Sequence, residues 1–92
     1  MSAAITRDLA IINVKGLHAR ASAKFVDMVE RFDAQAQVEK DGMRVSGDSI
    51  MGLLMLTAPR GSQIRVTTTG PEAQALADAL EALVGDYFGE GM

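Results

Sequence analysis

Turn signals recur at short intervals along this chain, and they constrain its fold more than any other feature. Gly16, Asp41-Gly42, Gly47-Asp48-Ser49, Pro59-Arg60-Gly61 and Gly70-Pro71 divide it into short segments. From one segment to the next, the spacing of apolar residues switches between strand-like alternation and a helical period. Such a chain has to stack many short elements in layers around one core.

Residues 7–13 form a short apolar run suited to a buried or half-buried strand. From Ala19 onward the period lengthens. Ala21, Phe25, Met28, Val29 and Phe32 recur at three- and four-residue steps, while Lys24, Asp27, Glu30 and Arg31 fall elsewhere. That pattern predicts an amphipathic helix of about fourteen residues, ended by Asp33-Ala34. Residues 35–40 alternate with Ala36 and Val38 on one face, Asp41-Gly42 signals a tight turn, and residues 43–45 return as the second arm of a hairpin.

Residues 50–56 are rich in Leu and Met without a β-branched run, which favours a short helix. Six of those seven residues are apolar and cannot all face one core, so Ile50, Met51 and Met55 are expected at the surface. Residues 63–69 read as a strand with Ile64 and Val66 inward. Gly70-Pro71-Glu72 opens a last helix, with Pro71 in its first turn. Its expected buried stripe is Leu76, Ala77, Leu80, Leu83, Val84 and Phe88, and Gly89-Glu90-Gly91 reads as a frayed tail. The order is β-α-β-β-α-β-α, an α+β fold in which a four-stranded, mainly antiparallel sheet carries helices on one face. The 92 residues are expected to form a single domain, 1–92, with an ordered core of about 7–88.

Composition excludes several functions. A net charge of −3, no basic run and only four aromatics argue against nucleic acid as a partner. Cysteine is absent, which removes disulfides, thiolate metal sites and cysteine nucleophiles. No apolar run approaches membrane-spanning length and no signal core is present, so no membrane association and a cytoplasmic location are expected.

The chemistry concentrates in Gly16-Leu17-His18-Ala19-Arg20, which contains the only histidine. A lone histidine here is most simply a helix cap or a surface residue. Its surroundings point further. A turn delivers His18 to the start of the first helix, where backbone amides without acceptors and partial positive charge favour an anion. A neutral imidazole is a nucleophile, and the amides of Ala19 and Arg20 with the Arg20 guanidinium could hold a phosphoryl group on it. No partner stands at a metal-ligand spacing, so no metal and no cofactor are expected. Ser49 reads as the cap of the second helix; a phosphate there would set about two negative charges beside the exposed apolar side chains.

These residues resemble the HPr family, the histidine-containing phosphocarriers of the phosphoenolpyruvate-dependent phosphotransferase system. Gly16-Leu17-His18-Ala19-Arg20 is similar to its active-site motif, and Ser49-Ile50-Met51-Gly52 to its regulatory serine motif. The resemblance implies an open-faced β-sandwich with three helices on one face of the sheet. It implies that His18 is phosphorylated on Nδ1 by enzyme I and passes the group to a histidine of an enzyme IIA-type protein, with Arg20 holding the phosphate. Ser49 would be the target of an HPr kinase/phosphorylase. Leu17, Ala19, Arg20, Lys24, Ile50, Met51, Leu54 and Met55 would form the patch that meets these partners, and the protein would be a monomer and a phosphoryl carrier rather than an enzyme. Phe32-Asp33-Ala34, Leu53-Leu54-Met55-Leu56 and Thr69-Gly70-Pro71 resemble the nitrogen-related (NPr) branch. Two departures stand out: Ala21 replaces the family's usual Pro, and Asp48 replaces a Lys common in the sugar-transport branch. A purely regulatory relative acting through Ser49, or a small α/β sandwich that binds a metabolite or, less in keeping with the acidic charge and few aromatics, RNA, are the alternative readings.

Overall fold

The computed structural model of the chain describes residues 3–91. Its elements follow the expected order: β1 (Ile5–Ala10), α1 (Ala19–Glu30), β2 (Gln35–Lys40), β3 (Met43–Ser46), α2 (Ile50–Met55), β4 (Gln63–Thr69) and α3 (Ala73–Gly85), followed by a 3-10 turn (Tyr87–Gly89). The strands form one antiparallel sheet in the order β1-β4-β2-β3. β4 therefore lies between the first strand and the hairpin, which joins the two ends of the chain in one core.

Alternation along each strand sets the two faces. Leu9, Ala36, Val38, Ile64, Val66 and Thr68 point to the helices and are buried. On the other face a row of paired charges crosses all four strands, because Asp8 faces Arg65, Arg65 faces Glu39, and Glu39 faces Arg44. Arg65 Nε donates to Asp8 Oδ1 at 2.9 Å, and this hydrogen bond holds the Asp8 carboxyl below its ordinary range. The polar ladder lets this face stand open to water, the arrangement that the expected open-faced sandwich requires.

Under the helices, Ile11, Phe25, Leu53, Ile64, Leu76, Leu80 and Phe88 are all fully buried. Each such side chain contributes roughly 1.5–3 kcal/mol of transfer free energy relative to an exposed one. Met28, Phe32 and Leu83, expected inside, are only partly buried at the rim of this core.

Three boundaries differ from the sequence reading. β1 starts earlier than residue 7, because β4 extends far enough to pair Ile5 with Thr68 and Thr6 with Thr67. It also stops before residue 13. Ile11 still exchanges backbone hydrogen bonds with Ser62 and Gly61, but beyond it the chain turns. Pro71 lies outside α3, whose N-cap position is Glu72. That carboxylate leaves its own helix uncapped and accepts instead from the backbone N–H of Asp33 at 2.6 Å, tying the start of α3 to the loop after α1.

Candidate functional site

The loop from β1 to α1 is shaped by Gly16. Its φ of +65° is a conformation that side chains disfavour, and a Cβ there would lie 2.5 Å from the carbonyl oxygen of Ala58. The close approach lets Leu17 N–H donate to that oxygen at 2.9 Å while the Leu17 side chain enters the core, only 5% exposed. Leu17 therefore does not belong to an exposed partner patch. The backbone N–H of His18 donates to the Gly16 carbonyl at 2.9 Å, a tight turn around Leu17 that leaves the His18 side chain part-buried, 22% exposed.

His18 is the N-cap of α1, one position before the helix proper, with extended backbone at φ −79° and ψ −178°. Its ring does not cap the helix. Nδ1 lies 3.0 Å from the carbonyl oxygen of Gly16, and since a carbonyl only accepts, the proton in that contact sits on Nδ1. The ring is thus turned away from the amides of Ala19 and Arg20, which have no side-chain cap and no acceptor within the helix. Nε2 is buried without a hydrogen bond, and 3.5 Å away stands Oε2 of Glu90, at ion-pair distance from it. The same oxygen accepts from Arg20 Nη1 at 3.1 Å. Arg20 is otherwise exposed at the first turn, where the cationic charge runs against the helix dipole and a neighbouring anion offsets it.

Glu90 overturns the expectation of a frayed tail. After α3 the chain reverses through left-handed backbone at Tyr87 (φ 56°) and Phe88 (φ 53°), with Gly89 at 75°. Phe88 is driven fully into the core. Lys24 Nζ donates to the Phe88 carbonyl at 2.8 Å, so this lysine, expected to meet partners, is occupied in holding the turn. The segment then lays the Glu90 side chain, 14% exposed, over His18 and Arg20. Helical spacing beyond Val84 places Phe88 on the buried face of a continuing helix; the reversal that brings Glu90 to the site has no local signal except Gly89.

The sequence model of a family described as "PTS HPr component phosphorylation site" matches residues 5–86. The chain is 46% identical over 87 residues to the phosphocarrier protein HPr of Cupriavidus necator, covering 95% of this chain and 98% of that protein. Its structure is similar to that of HPr from Thermoanaerobacter tengcongensis, with a TM-score of 0.91, 34% identity, and coverage of 96% and 99% of the two chains. It also resembles the phosphocarrier protein HPr of Bacillus anthracis, with a TM-score of 0.83 and 39% identity over 87% of this chain and 95% of the other. The chain belongs to the HPr family. It is accordingly a phosphocarrier protein of the phosphotransferase system and not an enzyme.

In this HPr-family chain the second sequence motif forms α2. Ser49 is its N-cap, with Oγ accepting from the backbone N–H of Gly52 at 3.0 Å. A Cβ at Gly52 would sit tightly against side-chain atoms of Val45 and of Ser49 itself, at 3.0–3.3 Å. As expected from composition, α2 buries Leu53 and leaves Met51 and Met55 well exposed, at 69% and 62%, with Ile50 at 40%. Leu54 is half-buried between these faces. Among the described residues, no helix is long and apolar enough to cross a membrane. Sequence reasoning missed Glu90 and exposed Val14, which flank a shallow depression with Lys15 and Arg20, and it missed buried Asn13 beneath the turn.

Proposed function

We propose that His18 is the residue that carries the phosphoryl group, taking it from phosphorylated enzyme I and giving it to a histidine of an enzyme IIA-type protein. The observation that supports this reading is the convergence at one helix start of the only imidazole, two amides without acceptors and the guanidinium of Arg20. A ring-nitrogen lone pair attacks phosphorus on the donor imidazole. The new N–P bond forms as the old one breaks, and the leaving imidazole takes the bonding pair, so no net proton is exchanged. Ala19 and Arg20 amides and the Arg20 side chain then hold the phosphoryl oxygens. Transfer through Nδ1 requires the ring to leave the Gly16 carbonyl, which occupies the line of approach to that nitrogen in the resting geometry.

The exposed side chains of Ile50, Met51 and Met55, with Leu54, Ala19 and Arg20 at the edge, form the surface that these partners share. Phosphorylation of Ser49 by an HPr kinase/phosphorylase would set a doubly charged group against that surface and weaken docking. It would also have to displace the Gly52 amide from Oγ, or share it. The nitrogen-branch assignment rests on the three short segments noted in the sequence alone; relatives named simply HPr lend it no support.

Incubation with enzyme I and phosphoenolpyruvate should give one acid-labile phosphate per chain, absent from His18→Ala. Labelling that survives this substitution would refute the assignment.

A further inference from the structure

We propose that Asn13 is a positioning residue for His18: its carboxamide takes up the acceptor capacity of the Gly16 carbonyl, so that Nδ1 of the ring is held loosely and can be released. The proposal deepens the assignment of His18 as phosphoryl acceptor and rests on it.

Three donors converge on the carbonyl oxygen of Gly16. Asn13 Nδ2 lies at 2.7 Å, the backbone N–H of His18 at 2.9 Å and His18 Nδ1 at 3.0 Å. The oxygen has two lone pairs, so three donors are one more than it accommodates well. The Asn13 contact is the shortest, so the ring must share what acceptor capacity remains with the His18 backbone N–H. The orientation of the carboxamide follows from chemistry, because only its NH2 can approach a carbonyl oxygen.

The Asn13 side chain is not the only tie across the turn. Gly16 N–H already donates to the backbone carbonyl of Asn13 at 3.1 Å, and Leu17 N–H to Ala58 at 2.9 Å. The Asn13 side chain is also a poor choice for stability. The residue is fully buried, and Oδ1 has no hydrogen-bond partner, a penalty that an apolar side chain of the same shape would avoid. A buried amide with an orphaned oxygen, donating to the one carbonyl that binds the nucleophilic ring, points to a role at that ring.

The consequence concerns tautomers. In the neutral ring Nδ1 faces the Gly16 oxygen, while Nε2 makes no hydrogen bond but has the Glu90 carboxylate 3.5 Å away, which favours a proton on that side. A strong hold by Gly16 keeps the proton on Nδ1 and leaves that nitrogen without a lone pair. By loading the Gly16 oxygen, Asn13 shifts the balance towards Nε2–H and a bare Nδ1.

The test uses Asn13→Leu, which keeps the shape, and Asn13→Ala. Because His18 is the only histidine, ring-nitrogen NMR reads its tautomers without ambiguity. Either variant should raise the ratio of Nδ1–H to Nε2–H by about two- to fivefold, the range expected for part of one hydrogen bond. The rate of phosphoryl acceptance from enzyme I should fall by the same factor as the bare-Nδ1 population, at unchanged KM for enzyme I. An unchanged ratio, a shift towards Nε2–H, or a slower rate without a tautomer change would overturn the proposal. So would failure of both variants to fold, which would make Asn13 a structural residue. If the wild-type chain takes no phosphoryl group on His18, the acceptor assignment fails by itself, and the tautomer ratio still decides the part played by Asn13.

Discussion

Glu90→Gln isolates the charge that the tail brings to the site. In the resting protein Oε2 stands 3.5 Å from His18 Nε2 and 3.1 Å from Arg20 Nη1, close to where a phosphoryl group would seek its own partners. Phosphorylation adds about two negative charges. With the group on the far side of the ring, the separation from the carboxylate is roughly 6 Å, and the repulsion is about 1–3 kcal/mol at the high effective dielectric of a half-exposed site. Glutamine keeps the shape and removes the charge. It also weakens the competition for Arg20 by replacing a charge-assisted acceptor with a neutral one, which adds to the same direction. Glu90→Gln should therefore shift the phosphoryl-exchange equilibrium with enzyme I towards the phosphorylated carrier by about tenfold, since roughly 1.4 kcal/mol is a factor of ten. The assay is the equilibrium ratio of phosphorylated to unphosphorylated carrier at fixed enzyme I, separated by native electrophoresis, at low and high salt. Added salt should shrink the difference, because the charges are partly screened. An equilibrium unmoved at low salt would refute the reasoning and leave Glu90 as an anchor without electrostatic influence on the reaction.

Three further outcomes follow from the packing and the charges. Phe88→Ala should destabilise the fold by about 3–5 kcal/mol in urea titration, the usual cost of emptying a fully buried aromatic site, and should free Lys24 and Glu90 to solvent; a loss under about 1 kcal/mol would show that the tail is not anchored by this ring. Ser49→Ala should cost about 1 kcal/mol through the lost cap on the Gly52 amide, with Ser49→Gly closer to wild type; equal stability of wild type and Ser49→Ala would contradict the cap. Asp8 is held below its ordinary value of 3.8 by hydrogen bonding to Arg65, and Asp78 likewise by Arg7 and then Gln74. Their folded forms bind protons less readily than the unfolded chain, so their contribution is present above that value and is lost as pH falls through the lowered folded values. Both carboxylates are exposed, so the decline should be shallow and salt-sensitive. Urea midpoints measured across the acid range should fall less steeply in Asp8→Asn and Asp78→Asn than in wild type; parallel curves would sink this account.

Much of this architecture is written in signals only a few residues long. Asp41-Gly42 turns the hairpin because both residues take left-handed backbone, with φ of 51° and 83°, a choice settled by the dipeptide itself. The limits of β4 match the alternation of residues 63–69, and Ser49 caps α2 where a hydroxyl precedes the apolar run. His18 and Arg20 stand at the start of α1 because a glycine turn meets a helical period there, again a local matter. The exposure of Met51 and Met55 follows from counting, since one short helix cannot bury six apolar residues of seven.

Other features depend on contacts between distant segments. Burial of Leu17 is decided by how closely Gly16 approaches Ala58. The insertion of β4 between β1 and β2 depends on which strands bury the most apolar surface together. Asn13 looks like an ordinary turn residue until the three donors on the Gly16 oxygen are seen together. Above all, the place of Glu90 is fixed by a neighbour. Left-handed backbone at Tyr87 and Phe88 reverses the chain after α3, the buried Phe88 ring and Lys24 anchor the reversed segment, and the carboxylate two residues later arrives 70 residues away in sequence beside Arg20. Period and turn chemistry act over a few residues and can be read from the chain, whereas the destination of a polar side chain near a chain end is set by the apolar group that carries it there.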